Sequence, residues 1–473
     1  MMQDYAHQSH VYAHHRDDVA LGLWWEQGTG KSRATLRRAV HLIETGKIDT
    51  VVIVAPGGVH TNWVVNEVPA HAPELADMGA VCLAVTSQQL QTRGMQRKLD
   101  AARRARALVV ATTYSTWMTH AGRAMALGLL KRRRCMLVLD EAHRIKNPTA
   151  QRTRAILADG KLAAYRMVLT GTPVASSPLD AWAQVQFLDP TIWRRYGCAS
   201  WTAFKHRYAV FEQIRVGGGR IVQKLISYQR TDELTAILHQ VGSRVLKEDV
   251  LDLPPKVYTR RYYEMTAHQK RVYGDLLRDK CHEDLETGVL VTPPTAMTAA
   301  LRMQQVLCGY YTDDDGVVHE TVGGNPRLDA TIDAISDGDL PATVWVRQTR
   351  DIDAIVAACA AAGYRVASYD GRTSDADRTA RVSAFQAGEL DVLVLNVAMS
   401  EGITLTRARQ VVYHSNTYRL VDRLQSEDRA HRLGQTGTVL YVDIVCDGTL
   451  DAHVAQRLAE KRSISDLVLD SIG

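Results

Sequence analysis

No two cysteines in this chain are spaced as C-x-x-C, and that absence argues against a zinc ribbon. The seven cysteines (Cys82, Cys135, Cys198, Cys281, Cys308, Cys359 and Cys446) lie far apart. They suit small buried apolar side chains rather than disulfides. No run of 18 or more apolar residues occurs, so no ordinary membrane-spanning helix is expected. The opening "MMQDYAHQSHVY" lacks a basic-then-apolar layout. No export signal is therefore expected, and the chain is assigned to the cytoplasm, a host's cytoplasm if the source is viral. A strong charge of one sign is missing too: 57 Lys and Arg against 52 Asp and Glu leave +5. That permits a polyanionic partner without demanding one. Short-period repeats and low-complexity tracts are absent.

What remains is a 473-residue chain, 46% apolar and 23% charged, long enough for two or three globular domains. Its strongest pattern is a recurrence of short β-branched runs followed by helical periodicity. "TVVIVAP" (50–56), "ALVVATT" (107–113), "CMLVLDEA" (135–142) and "RMVLTGTP" (166–173) are continuous apolar runs with polar, glycine or proline ends. Such runs suit strands of a parallel sheet covered on both faces by helices. The pattern resumes with "ATVWVRQ" (342–348), "YRVASYDG" (364–371), "LDVLVLNVA" (390–398), "ARQVVYHS" (408–415) and "TVLYVDIV" (438–445). The prediction is an α/β protein of two parallel-sheet lobes, 1–250 and 251–473. Residues 178–245 read mostly as a helical insertion with "RVGGGR" as a surface turn. The paired Pro254 and Pro255 read as a stiff linker, and 266–310 as a helical segment.

Ligand sites in such sheets lie beyond the carboxyl ends of the strands, where Pro56, Asp140, Glu141 and Thr172 fall. The stretch "GLWWEQGTGKSRATL" (22–36) predicts a strand from Leu21 to Trp25, a loop, and a helix from Ser32 to Ile43. It spells a phosphate-binding loop whose first glycine is replaced by Trp25. The segment alone allows two readings, a glycine turn at the surface or a phosphate cradle. As a cradle, backbone N–H groups around Gln27, Gly28, Thr29 and Gly30 would face phosphate, with Lys31 on the outer phosphates and Ser32 on Mg2+. Downstream, "VLDEAHRIKNP" (138–148) ends a strand in adjacent carboxylates. Asp140 would hold Mg2+ and Glu141 would orient or deprotonate the attacking water. The hydroxyls of "LTGTP" (169–173) could contact these carboxylates or sense the γ-phosphate. In the second lobe, "DRLQSEDRAHRLGQ" (422–435) predicts a helix ending before Gly434. It would place Asp422, Gln425, Arg429 and Arg432 on one face, with the two arginines as fingers.

In this order these pieces resemble helicase superfamily two, and within it the Swi/Snf-like DNA translocases. The residues that carry the resemblance are "EQGTGKS", "VVIVAPGGVHTNW", "VVATTYSTW", "DEAHRIKN", "LTGTP", "VLVLNVAMSEGITLT", "QSEDRAHRLGQ" and the linker "LPPK", spanning about 5 to 460. The resemblance implies two RecA-like lobes that close on ATP and Mg2+, with hydrolysis at the inter-lobe cleft driving movement on double-stranded DNA, largely without sequence preference. It implies that Gln8 reads adenine, and that Gly402 in "SEGITL" links the ATP cleft to the DNA track. Met399 and Ser400 stand where many relatives carry glycines. Members commonly keep only G-x-G-K-[ST], here Gly28 to Ser32, so Trp25 is expected as the last core residue of its strand, facing a helix. The chain is expected to be a minimal, monomeric motor. A fork-unwinding or RNA helicase, an ATP-gated DNA clamp without turnover, and the motor part of a larger restriction or repair complex are the alternatives.

Three tempting features read more plainly. "KRRRC" (131–135) precedes the strand into Asp140 at the end opposite the nucleotide, and reads as a solvated helix end. "WRRYGCASWTAFKHRY" (193–208) reads as helical packing before nucleic-acid contact. His7, His10, His14 and His15 contain an i, i+4 pair that lacks the further ligands a metal needs.

Overall fold

The computed structural model describes residues 4–102, 104–174, 177–216, 220–278, 282–284, 289–291, 295–400 and 402–470. Two compact units emerge, one running to Asp252 and one from Leu253 to Glu460. The first is built on a seven-stranded sheet. Its strands are β1 (Ala20–Trp25), β2 (Thr50–Ala55), β3 (Val81–Val85), β4 (Leu108–Thr113), β5 (Cys135–Asp140), β6 (Tyr165–Leu169) and β9 (Gly242–Val245). They lie in the order β3-β4-β2-β5-β6-β1-β9, and every pairing is parallel. Helices cover both faces, so every residue of β2, β4 and β5 is buried, which is why these strands read as unbroken apolar runs. The edge strand β3 is only half-buried and carries a weaker signal.

Between β6 and β9 the chain departs from the helical expectation. Helices Ala181–Leu188, Trp201–Tyr208 and Thr231–Val241 are present, but Ala209–Val216 (β7) and Arg220–Tyr228 (β8) form an antiparallel ribbon. The cause is visible in "VFEQIRV" and "RIVQKLIS", two runs rich in Val and Ile that are separated in the sequence by three glycines. The glycines of the expected "RVGGGR" turn lie outside the described residues. Within 193–208, Trp193, Phe204 and Tyr208 are fully buried with rings 4.6–6.4 Å apart, so the aromatic content is core packing. In "KRRRC", Arg133 joins Asp49 to the carbonyls of Ala102 and Ala105 below the sheet, while Lys131, Arg132 and Arg134 are exposed.

The second unit holds a six-stranded, all-parallel sheet. Its strands are β10 (Lys256–Tyr263), β15 (Ala342–Val346), β16 (Val366–Tyr369), β17 (Val392–Asn396), β18 (Gln410–Tyr413) and β19 (Val439–Cys446), ordered β10-β19-β18-β15-β17-β16. The segment after the prolines is thus a strand rather than linker. "KVYTRRYY" is mostly exposed and pairs only with β19, so it lacks the apolar run that marks an inner strand. The helical segment 266–310 is interrupted. Helices Ala267–Arg278 and Ala296–Leu307 flank a short pair, β11 (His282–Asp284) and β12 (Val289–Val291). A further pair, β13 (Tyr310–Thr312) and β14 (Val318–Glu320), follows, and the unit ends at Glu460 within the helix Leu450–Asp470. None of the described helices is long and apolar enough to cross a membrane.

The pairing of β1 with β9 depends on two opposed glycines, Gly22 and Gly242. The Trp24 indole lies over both and donates to the Leu238 carbonyl at 3.2 Å. A Cβ at Gly242 would collide with the Gly22 carbonyl and the indole nitrogen. Gly128, within the helix His120–Arg132, faces open space. In urea unfolding, Gly242→Val is expected to lose about 1–3 kcal/mol by overpacking, whereas Gly128→Ala should gain about 0.5–1 kcal/mol from helix propensity.

Candidate active site

β1 ends at Trp25 and the next regular element is the helix Lys31–Glu44, one residue longer at each end than expected. The loop between them depends on glycine twice. Gly28 and Gly30 both adopt the left-handed conformation, with φ of 84° and 86°. A side chain at Gly30 would also strike the Gln8 amide, which donates to the Gly30 carbonyl at 3.2 Å. Gln8 is 2% exposed, sits on the helix Ala6–His15, and accepts from the Tyr5 backbone N–H. His7 donates through Nε2 to the Thr29 carbonyl and packs edge-on against Trp25. Trp25 is fully buried against this helix, and its indole reaches Ser243 on β9. His10 and His14 do face one another, at 4.5 Å between rings, but no third ligand joins them among the described residues.

The loop's own polar groups hold its shape. Thr29 Oγ1 donates to the Glu26 carbonyl at 2.8 Å, and Lys31 Nζ donates to the carbonyls of Trp25 and Glu26 at 2.8 and 3.1 Å. Ser32 occupies the second position of the helix. The Glu26 carboxylate accepts from the Lys247 backbone N–H, tying the loop to the segment after β9.

The acidic pair stands at the end of β5. Trp63 Nε1 donates to Asp140 Oδ2 at 2.8 Å, the Glu141 N–H donates to Asp140 Oδ1, and the Tyr114 hydroxyl donates to the Asp140 carbonyl. Burial, and then the neighbouring Glu141 charge, push the Asp140 carboxyl well above the usual carboxylate range. Trp63 and the Lys31 ammonium pull it back. Glu141 adopts φ 49°, a strained conformation for a residue with a side chain, costing on the order of 1–3 kcal/mol. Its carboxylate meets Gln27 Nε2 at 3.5 Å and His143 Nδ1 at 3.2 Å. His143 also approaches Thr170 Oγ1 at 3.4 Å, and that hydroxyl accepts from the Thr172 N–H. One "LTGTP" hydroxyl, that of Thr170, thus reaches Glu141 through a histidine. A desolvated carboxylate is a ligand type that fits Mg2+, which takes one or two carboxylates and keeps several waters, and the helix-start hydroxyl of Ser32 is a second such group in the same unit.

In the second unit, the helix Leu420–Ala430 ends earlier than expected. Gln425 and Arg429 are buried on it, whereas Arg432 lies beyond its end and so leaves the predicted helical face. His431 departs from helical geometry and is drawn to the Pro254 carbonyl, 2.8 Å from its Nε2. The two arginines nevertheless converge. Arg429 Nη1 donates to the Ile403 carbonyl at 3.4 Å, and Arg432 Nη1 donates to the same carbonyl at 3.5 Å and to Thr404 Oγ1 at 2.9 Å. That loop begins at Gly402, where φ is 80°. The Leu405 N–H returns to the Arg429 carbonyl at 2.8 Å.

Sequence reading missed the residues that hold these groups. Trp63, Tyr114 and His143 grip the acidic pair. Glu427, 1% exposed, accepts from Lys256 at 3.2 Å, Tyr258 at 2.8 Å and Arg423 at 2.9 Å. Trp63, Tyr114, His143, Lys256 and Glu427 all stood inside quoted motifs, but no local signal names the partner each one takes.

Comparison with known proteins gives the same order of parts. The SNF2-related domain model matches residues 14–310, and the helicase conserved C-terminal domain model matches 328–434. A probable chromatin-remodeling complex ATPase chain of Oryza sativa subsp. japonica is 27% identical over 350 residues, covering 70% of this chain and 29% of that protein. The ISWI chromatin-remodeling complex ATPase CHR17 of Arabidopsis thaliana is 25% identical over 465 residues, covering 94% of this chain and 40% of that one. The DNA annealing helicase and endonuclease ZRANB3 of Bos taurus is 24% identical, covering 94% and 38%. The chain therefore spans only about 29–40% of the length of these three relatives. Among solved structures, a Sulfolobus solfataricus SWI2/SNF2 ATPase core in complex with dsDNA aligns at 22% identity and TM-score 0.43, covering 99% of this chain and 93% of that one. With the first of these models covering residues 14–310, the chain belongs to the SNF2-related family, the Swi/Snf-like, ATP-hydrolysing branch of helicase superfamily two.

Proposed function

We propose that this protein hydrolyses ATP with Mg2+ in response to double-stranded DNA and uses the cycle to translocate along the duplex. The observation that carries this reading is the Asp140 carboxyl, buried, held by Trp63 and flanked by Glu141, in the same unit as Lys31. Its desolvation makes a cation favourable at that point, with the Glu141 carboxylate beside it. Mg2+, when bound, supplies charge neutralisation across the outer phosphates and fixes their orientation.

The remaining steps fall to the chain's own groups. The backbone N–H groups from Gly28 to Ser32 cradle phosphate oxygens at a helix start. Lys31 gives up its carbonyl partners in favour of phosphate charge, a stronger acceptor than either carbonyl. Glu141 holds the attacking water and takes its proton. His143 and Thr170 pass the state of that carboxylate to the "LTGTP" loop. Gln8, already against Gly30, is set to meet the adenine edge. Arg429 and Arg432 supply positive charge to the transferring phosphoryl group from the second lobe, and Gly402 gives their loop its turn. Duplex DNA is gripped by its phosphates, a reading supported by the likeness to a DNA annealing helicase and endonuclease.

ATPase rate measured with and without duplex DNA tests the whole reading, and a rate indifferent to duplex would sink it. Lys31→Ala is expected to abolish turnover, and Glu141→Gln to keep ATP binding while turnover is lost. Arg432→Ala should retain nucleotide binding yet lower the rate by about 10³-fold, the scale of other arginine fingers.

A finer outcome concerns the indole that holds Asp140. Trp63→Phe keeps the packing and deletes the donor, so the Mg2+ concentration for half-maximal rate should rise by about 10–100-fold, as for other partners of metal ligands. An unchanged Mg2+ titration would show that Trp63 serves packing alone.

A further inference from the structure

Within the second unit, three side chains from separate elements meet beneath the surface. Cys308 follows the helix Ala296–Leu307, Asp351 lies in the first turn of the helix Thr349–Ala361, and His414 follows β18. They are 3%, 4% and 2% exposed. Their thiol sulfur, one carboxylate oxygen and one imidazole nitrogen all lie within 4.8 Å of one another. Among the described residues this is the one set of three such ligand atoms that closes to that degree.

The hydrogen bonds around the set determine its chemistry. Thr331 Oγ1 spends its single proton on the Arg327 carbonyl at 2.8 Å, yet lies 2.8 Å from His414 Nδ1. That oxygen can only accept from the imidazole, so Nδ1 carries the proton and Nε2 presents a bare lone pair. Nε2 faces Asp351 Oδ2 at 3.9 Å, and Oδ2 is buried without any hydrogen-bond partner. The Cys308 thiol and the Tyr310 hydroxyl donate to the Asp351 carboxylate, but between Oδ2 and His414 Nε2 two acceptors confront one another with no donor. A cation at that point would satisfy both.

Arg327 Nη1 donates to Cys308 Sγ at 3.4 Å, as a group supporting a coordinated thiolate would, and is itself paired with Asp451. Charge then balances: a dication with Cys308 thiolate and Asp351 carboxylate sums to zero, as does Arg327 with Asp451. The three residues line a cavity of about 360 Å³, where a second orphaned oxygen, Thr321 Oγ1, also sits. Its rim includes the exposed pair Glu320 and Arg350, so an entry path exists. A tetrahedral zinc centre sets its donor atoms roughly 3.3–3.6 Å apart, so closing the set takes side-chain movements of about 1 Å.

We propose that Cys308, Asp351 and His414 form a binding site for a divalent transition metal of zinc type, with the fourth position open to the cavity. The ion would join three separate elements of this unit. Uptake releases the thiol proton, and no oxidation or reduction is involved. The site is separate from the nucleotide chemistry and stands or falls without it.

The test uses the full chain and the metal alone. Purified protein is stripped with chelator, mixed with Zn2+ or Co2+, desalted, and assayed for bound metal. The expected result is one equivalent retained per chain, with Co2+ giving a thiolate charge-transfer band and the strong visible bands of tetrahedral cobalt. Cys308→Ser should lose the charge-transfer band. Thr331→Val, which leaves all three ligands in place, should weaken binding about 10–100-fold. Should Cys308→Ser fail to fold, wild-type protein still decides the matter, because Zn2+ should protect Cys308 from maleimide, mapped by mass spectrometry. No retained metal, or a cobalt band that survives Cys308→Ser, or undiminished labelling of Cys308 in Zn2+, would overturn the proposal.

Discussion

A carboxylate buried at the end of an inner strand is the constraint from which the first lobe is organised. Asp140 ends β5, whose residues are all buried, so water cannot stabilise its charge. Its raised pKa means that the folded protein holds the proton more tightly than the unfolded chain does. Ionising it therefore costs folding free energy as pH rises above the usual carboxylate range. The surroundings reduce that cost without removing it. One indole N–H and one backbone N–H are aimed at the two oxygens, and the Lys31 ammonium is near enough to act by charge. What is left is a site whose electrostatics favour an added cation, the more so because the Glu141 charge beside it adds to the cost of ionising Asp140.

The second lobe solves a related problem differently. Glu427 is buried as deeply, but three donors from Lys256, Tyr258 and Arg423 meet it, and Arg423 in turn binds Asn416 and Asp443 and lies over the Tyr413 ring at 3.5 Å. Here the charges are compensated inside the protein. A fully partnered network fixes geometry and leaves no demand for a ligand. Its role is to hold the helix Leu420–Ala430 in place, so that Gln425, Arg429 and the residues after the helix are presented by a rigid base. Lys256 and Tyr258 explain why the segment after the prolines is a strand: as β10 it brings two donors to one buried acid.

How much of this could be read from the sequence follows from the same physics. The inner strands of both sheets were legible because burial on two faces forces continuous apolar runs, and the phosphate loop because positive φ at Gly28 and Gly30 forces glycine. Asp140, Glu141, Lys31 and the arginines lie on motifs with fixed spacing, and in the structure Asp140 and Glu141 stand at the end of β5 and Lys31 at the start of the helix that follows β1. The half-exposed strands β3, β9 and β10 were not legible, although the edge strand β16 was, and the β7–β8 ribbon lies in a span that aromatic and basic residues made look helical. Supporting residues were not legible either. Nothing local marks Trp63 as the donor to a carboxylate 77 positions away, or Thr331 as the group that sets the tautomer of His414.

The helix containing Arg429 stops before Arg432, and this changes how the arginines and the Gly402 loop are related. On one continuous helix the two guanidiniums would be fixed to each other by the helix alone. Instead both are fixed to the Ile403 carbonyl, while the Leu405 N–H returns to Arg429. A shift in that loop must then move both charged groups together. This also accounts for Met399 and Ser400 in place of the glycines common among relatives. Ser400 has φ −69° and ψ −10°, an ordinary helical conformation open to any residue, and the one positive φ in the described part of the loop falls on Gly402. The departure from the family pattern therefore requires no strained backbone at position 400, and the turn that connects the loop to both arginines is kept.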